Sequence, residues 1–170
     1  MPRIELTAHE PYVPLRVTDA SGALLLLPRY KFLCWVRLPG RAVTYDAIID
    51  TGSPFTLVPE AIWTHFRPGS DFEELPYQAG YPVPQGQTAG WNFRFRMARL
   101  LQPLVLFDVN TQLSRDRVIV QLVEGNPPST FRSNAPPRVV MGLWGGALEG
   151  TNVRVETDAT TGRLAGAIEW

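Results

Sequence analysis

The chain has 170 residues, 45% of them hydrophobic and 19% charged, with sixteen basic side chains balancing sixteen acidic ones. That length and composition predict one globular domain with a real core and argue against disorder. The charge balance argues against a nucleic-acid partner or an anionic membrane surface.

The opening MPRIELTAHEPYVP is charged and broken by proline, with no apolar stretch of signal-peptide type. The longest apolar run, residues 23–28, holds four leucines and is far too short to span a bilayer. A soluble, cytoplasmic protein is expected, although a fragment processed from a larger polypeptide would read the same. Sixteen prolines and fourteen glycines imply many turns between short elements, which favours an all-β architecture.

Residues 30–38 alternate apolar and polar side chains and predict a strand, with Pro39-Gly40 as the turn. Residues 42–50 return as a second strand, and residues 55–58 form a third. Residues 60–66 predict a short helix after Pro59, closed by Pro68-Gly69. Residues 70–90 are rich in Pro, Gly and Gln and carry little regular signal. They feed Trp91-Asn92-Phe93-Arg94-Phe95-Arg96-Met97, which alternates cleanly, as a mobile hairpin would. Further strands are expected at 104–109, 117–123 and 138–141, and a closing hairpin pairs 152–157 with 163–170. No internal repeat is visible.

The most informative motif is Asp50-Thr51-Gly52-Ser53, entered through Ala47-Ile48-Ile49 and left through Phe55-Thr56-Leu57-Val58-Pro59. It sets one carboxylate on a tight turn at the end of an apolar strand. Asp, Gly and Ser are ordinary turn residues, so a turn Asp capping a strand is the competing reading. The apolar run before the turn and the β-prone run after it favour the chemical one. The segment AIIDTGSPFTLVP resembles the active-site loop of the retropepsin-like aspartic proteases, the single-domain group that includes the retroviral enzymes. Val139-Val140-Met141-Gly142 is similar to that family's second mark, an apolar pair before a glycine that packs beneath the catalytic loop.

The resemblance spans residues 29–170. It implies an all-β, closed, barrel-like retropepsin fold with one short helix and a flap hairpin. It implies Asp50 as the catalytic residue and Thr51, Gly52 and Ser53 as support for its loop. Gly52 would give an N–H to the carboxylate, Thr51 would hydrogen-bond across a two-fold axis, and Ser53 would donate to the outer oxygen of Asp50. Val140, Met141 and Gly142 would pack beneath. The flap would fall on Val83, Gly86, Gln87 and Thr88, with a plain surface loop as the alternative.

The chain has no second Asp-Thr-Gly, so two copies would each supply one Asp50 to a homodimeric endopeptidase acting on a peptide or protein substrate. Two carboxylates across one water share a proton, so one acts as base and the other as acid. No metal or other cofactor enters that chemistry. A catalytically silent dimeric binding or scaffold module on the same fold is the alternative function.

Two departures from the family pattern stand out. Leu143 follows Gly142 where retroviral members usually carry Arg, and Trp144-Gly145-Gly146-Ala147 is poor helix material. Residues 1–28 have no obvious counterpart in the smallest members and are read as an extension: an interface strand, a lid or a removable leader.

Other candidates are weaker. Cys34 lies in an apolar strand and reads as a small core residue, not a nucleophile. One cysteine and two histidines, His9 and His65, make neither a disulfide nor a zinc-type ligand set. A Ser–His pair of Ser53 and His65 lacks the G-x-S-x-G elbow. Trp91, Phe93 and Phe95 read as the packed face of a strand.

Overall fold

Period-2 alternation builds most of the protein, and helix is almost absent among the described residues. A computed structural model of the chain describes residues 1–9, 15–27, 30–76, 85–88, 91–125 and 136–170. Strand β1 (Arg3–His9) is followed by a ribbon of β2 (Leu15–Thr18) and β3 (Leu24–Leu27) that, among the described residues, pairs only with itself. Then come β4 (Lys31–Arg37), β5 (Thr44–Ile49), β6 (Thr56–Val58), the short α1 (Glu60–Trp63) and β7 (Phe72–Glu74). The second half holds β8 (Gln85–Thr88), β9 (Trp91–Leu100), β10 (Leu104–Phe107), β11 (Gln112–Arg115), β12 (Ile119–Val123), β13 (Val139–Met141), β14 (Asn152–Thr157) and β15 (Leu164–Glu169). No helix among the described residues is long and apolar enough to cross a membrane.

The main sheet runs β14-β15-β1-β4-β5-β13-β6-β12-β9-β7, with β10 and β11 branching from β4 and β8 from β9. It is not the closed barrel the resemblance implies. Its path ends at β14 on one side and β7 on the other, and these strands do not pair. The cause lies in β4, where Leu33 to Lys31 pair with β1 and Arg37 to Trp35 pair with β10. Two partners on different halves of one strand branch the sheet at that point, so its strands do not run on into one closed ring.

The core is apolar and continuous, with Ile4, Val36, Val58, Ile62, Leu104, Leu106, Leu122, Met141 and Ile168 fully buried. The expected helix at 60–66 is realised only as far as Trp63. Its indole Nε1 donates to the Val123 carbonyl (2.7 Å) and anchors α1 to β12. The poor helix material after Gly142 forms turns, with Gly145, Gly146 and Gly150 all at positive φ.

Three residues beyond α1, the turn at 67–71 is closed by Asp71, whose side chain is only 2% exposed. It accepts from the Arg67 backbone N–H (2.8 Å) and from the guanidinium Nε and Nη2 (3.2 Å each). These hydrogen bonds from Arg67 hold its carboxyl below the usual carboxylate range. Asp71 therefore adds stability above its unfolded pKa of about 4, and the contribution is lost as pH falls through the lower folded value. Asp71→Asn is expected to destabilise the protein by about 1–3 kcal/mol at pH 7. The deficit relative to wild type should shrink at about pH 3, as urea unfolding at the two pH values would show.

Candidate active site

Two strands and an intruder position the Asp50 loop. The apolar end of β5 runs parallel to β13, with Ala47, Ile48 and Ile49 opposite Val139, Val140 and Met141. On its other side β13 meets β6 through Val140 and Leu57. Thus β13 is wedged between the strand that enters the loop and the strand that leaves it. Arg138 reinforces the wedge, its Nε lying 3.3 Å from the carboxylate of Asp46 on β5.

Hydrogen bonds then fix the loop residue by residue. The Asp50 N–H donates to the Met141 carbonyl (3.1 Å), and the Ser53 N–H returns to the Asp50 carbonyl (3.1 Å). The Gly52 N–H donates to Asp50 Oδ1 (2.9 Å), which orients the carboxylate. From the far side, the Leu143 N–H donates to the Ser53 carbonyl (3.1 Å) and the Trp144 N–H to the Pro54 carbonyl (2.7 Å). Asp50 is half-buried, while Thr51 and Gly52 are exposed. One carboxylate is thereby presented to the outside on a loop held from both ends.

Glycine is required beneath this loop. A Cβ on Gly142 would lie 2.5 Å from the Phe55 carbonyl oxygen and 2.8 Å from Phe55 Cα, both backbone atoms. Gly145 is constrained in the same way, since a Cβ there would lie 2.5 Å from the Ile119 carbonyl oxygen. Gly52 is roomier; its hypothetical Cβ meets only Asp50 Oδ1, at 3.3 Å.

The expected Ser53 contact is corrected. Its hydroxyl donates to the Phe55 carbonyl (2.8 Å), not to Asp50. The backbone N–H of Ser53 already closes the turn onto Asp50, so the side chain points onward along the chain and shapes the entry to β6. Thr56 is a contributor that motif reading passed over. It is fully buried, and its Oγ1 accepts from the Gly142 N–H at 3.4 Å. A threonine at the start of a strand leaves no sequence signal for such a role. Phe55 and Trp144 add an edge-to-face contact, with ring centroids 6.3 Å apart.

Of the flap candidates, Gly86, Gln87 and Thr88 lie on β8, which pairs with β9 in the register Gly86 to Phe93, Gln87 to Asn92 and Thr88 to Trp91. Val83 lies outside the described residues. Cys34 is buried opposite Ala47, and burial pushes its thiol up to about 12, which leaves almost no thiolate near neutral pH.

No family model matches the chain, and no curated protein matches it. Among solved structures, the chain is similar to a retropepsin-like aspartic protease from Rickettsia conorii. The match has 9% identity and a TM-score of 0.44, and covers 96% of this chain and 95% of that one.

Proposed function

We propose that the protein is an aspartic endopeptidase that works as a homodimer, each copy contributing Asp50. The observation that carries this reading is the Asp50 loop itself. One carboxylate sits on a turn whose Gly52 N–H fixes Oδ1, and that turn is tied from below to residues 141–144. Such bracing restricts a carboxylate to one direction, which suits a group that must meet a partner across a water molecule.

In the proposed reaction the two Asp50 side chains hold one proton between them. The ionised one takes a proton from the water as its oxygen attacks the peptide carbonyl, and the protonated one donates to the carbonyl oxygen. Collapse of the tetrahedral intermediate breaks the C–N bond: the Asp50 that took the water proton gives it to the departing nitrogen, and the other Asp50 regains a proton from the hydroxyl of the intermediate. Thr51, exposed on the same turn, is assigned the contact across the two-fold axis. The substrate lies extended, held by main-chain hydrogen bonds in strand fashion. The β8–β9 hairpin, with Gly86, Gln87 and Thr88, is assigned as the flap that covers it, together with Val83.

The test is cleavage of a mixed peptide library over about pH 3 to 8, read by mass spectrometry. Asp50→Asn is expected to lower cleavage about a thousandfold or more. Its fold should be retained, because an amide oxygen can still accept the Gly52 N–H. Cleavage that survives the substitution would overturn the assignment. A folded, dimeric wild-type protein that cleaves nothing at any pH would favour the binding or scaffold module.

A further inference from the structure

The geometry points to a second binding site, remote from Asp50, that takes the guanidinium of an arginine carried in a polypeptide. It lies where β4 changes partner. Leu33 pairs with Thr7 of β1, and Trp35, the next residue but one, pairs with Phe107 of β10. At that junction a pocket of about 290 Å³ is lined on β4 by Leu33, Trp35 and the buried Cys34, and across from them by Phe107 and Val109. At the usual share of liquid volume, that space holds about ten waters. It suits one long side chain and not a folded element.

The lining sets the charge of the occupant. Glu5, Asp46 and Asp108 bring carboxylates to the pocket, and among the described residues no lysine, arginine or histidine lines it. Arg3 pairs with Glu5, and Arg138 Nε lies 3.3 Å from Asp46 Oδ2, both from outside the lining. Asp108 is in no ion pair among the described residues. Its Oδ2 accepts from the Glu5 N–H (2.6 Å), and its Oδ1 accepts from the N–H groups of Asn110 and Thr111 (2.7 Å each). Burial pushes its carboxyl up, but these backbone N–H groups outweigh burial and hold it below the usual range. Asp108 therefore stays charged at neutral pH, and its charge calls for a cation.

The rings select a guanidinium over an ammonium. Trp35, 41% exposed, lies with its ring centroid 5.7 Å from that of Phe107. One guanidinium already rests on this pair from within the chain, since Arg37 Cζ is 4.8 Å from the Phe107 centroid. A planar, weakly hydrated guanidinium stacks on such rings and forks onto a carboxylate better than an ammonium does. Free arginine would bring its own carboxylate against the three in the lining, whereas arginine within a peptide brings neutral amides. The inference rests on no part of the peptidase reading. Asp46 precedes Asp50 by four residues, about 13 Å of extended chain.

The test titrates the isotope-labelled full chain with N-acetyl-arginine amide and follows the Val109 amide and the Trp35 indole N–H by NMR. Saturable shifts with a dissociation constant of about 1 mM are expected. N-acetyl-citrulline amide has the same shape without the charge and should bind about tenfold more weakly. Free arginine should bind about threefold more weakly, or worse, because of its carboxylate. Val109 is 79% exposed. Val109→Lys sets an ammonium at the mouth and should weaken binding about tenfold, while Val109→Ser should stay within about twofold of wild type. Trp35→Leu removes a ring and should weaken binding about fivefold, read at the Val109 amide. It carries the test if Val109→Lys loses its far-UV circular dichroism.

Shifts that fail to saturate by about 20 mM would overturn the inference. So would equal binding of the citrulline probe or of free arginine, or a folded Val109→Lys that binds as wild type does. Binding lost equally in Val109→Ser and Val109→Lys would also overturn it, because charge would then not be the cause. Asp50→Asn leaves this pocket intact and should bind the probe unchanged; loss of binding there would put the cation at the Asp50 loop instead. Cleavage assays on wild type separate the two proposals. Cleavage without probe binding sinks only this one, and probe binding without cleavage sinks only the peptidase.

Discussion

Gly142→Ala should destabilise the protein by about 3 kcal/mol, toward the upper end for an overpacked core site, and should abolish peptidase activity. The added methyl would sit 2.5 Å from the carbonyl oxygen of Phe55 and 2.8 Å from its Cα, and backbone cannot rotate aside as a flexible side chain can. Relief requires β13 to move away from β6, or Phe55 to shift and drag the Asp50 loop with it. Either movement strains the Leu143-to-Ser53 and Trp144-to-Pro54 hydrogen bonds. It also disturbs the Gly142 N–H bond to buried Thr56. Gly52→Ala provides the contrast. Its Cβ would touch only a side-chain atom, Asp50 Oδ1, at 3.3 Å, so cleavage should suffer while the urea midpoint changes little. Equal loss of stability in the two variants would show that Gly142 is not the clamp described here.

That clamp illustrates what could be read before the structure and what could not. The Asp50 turn and the apolar strands on either side are local, and alternation together with turn chemistry located β4, β5, β6 and the β14–β15 hairpin within a few residues. The pairing of Val140-Met141-Gly142 with Asp50 was legible only through family resemblance. No periodicity announces that a strand some ninety residues downstream will insert between β5 and β6. The roles of Ser53 and Thr56 were hidden for a different reason. A hydroxyl can donate to whichever carbonyl the backbone brings near, and that choice is settled by turn geometry. Closure failed as an expectation because it depends on how β4 divides its length between β1 and β10, a property of the whole sheet.

Removing residues 1–28 should prevent the remaining chain from reaching its native fold. Residues 1–28 read as an extension because the smallest members of the resembling family lack a counterpart, but Arg3–His9 alternates, with Ile4 and Leu6 buried between Arg3, Glu5 and Thr7. β1 pairs with β15 through residues 3–6 and with β4 through residues 7–9. In the sheet path it is the link that joins β14 and β15 to the rest. Without it, Ile168 loses Ile4, its neighbour across the two strands, and both β15 and β4 gain an open edge. A domain of this size has about 5–15 kcal/mol of total stability. The single substitution Ile4→Ala should already cost about 2–5 kcal/mol at this fully buried site. The truncated chain should therefore lack near-UV circular dichroism and show no cooperative urea transition. A removable leader predicts the opposite: an unchanged transition, with cleavage equal to or greater than that of the full chain. Ile4→Ala in the intact protein decides the cause, since a strand integral to the sheet must lower the urea midpoint and a leader must leave it where it was.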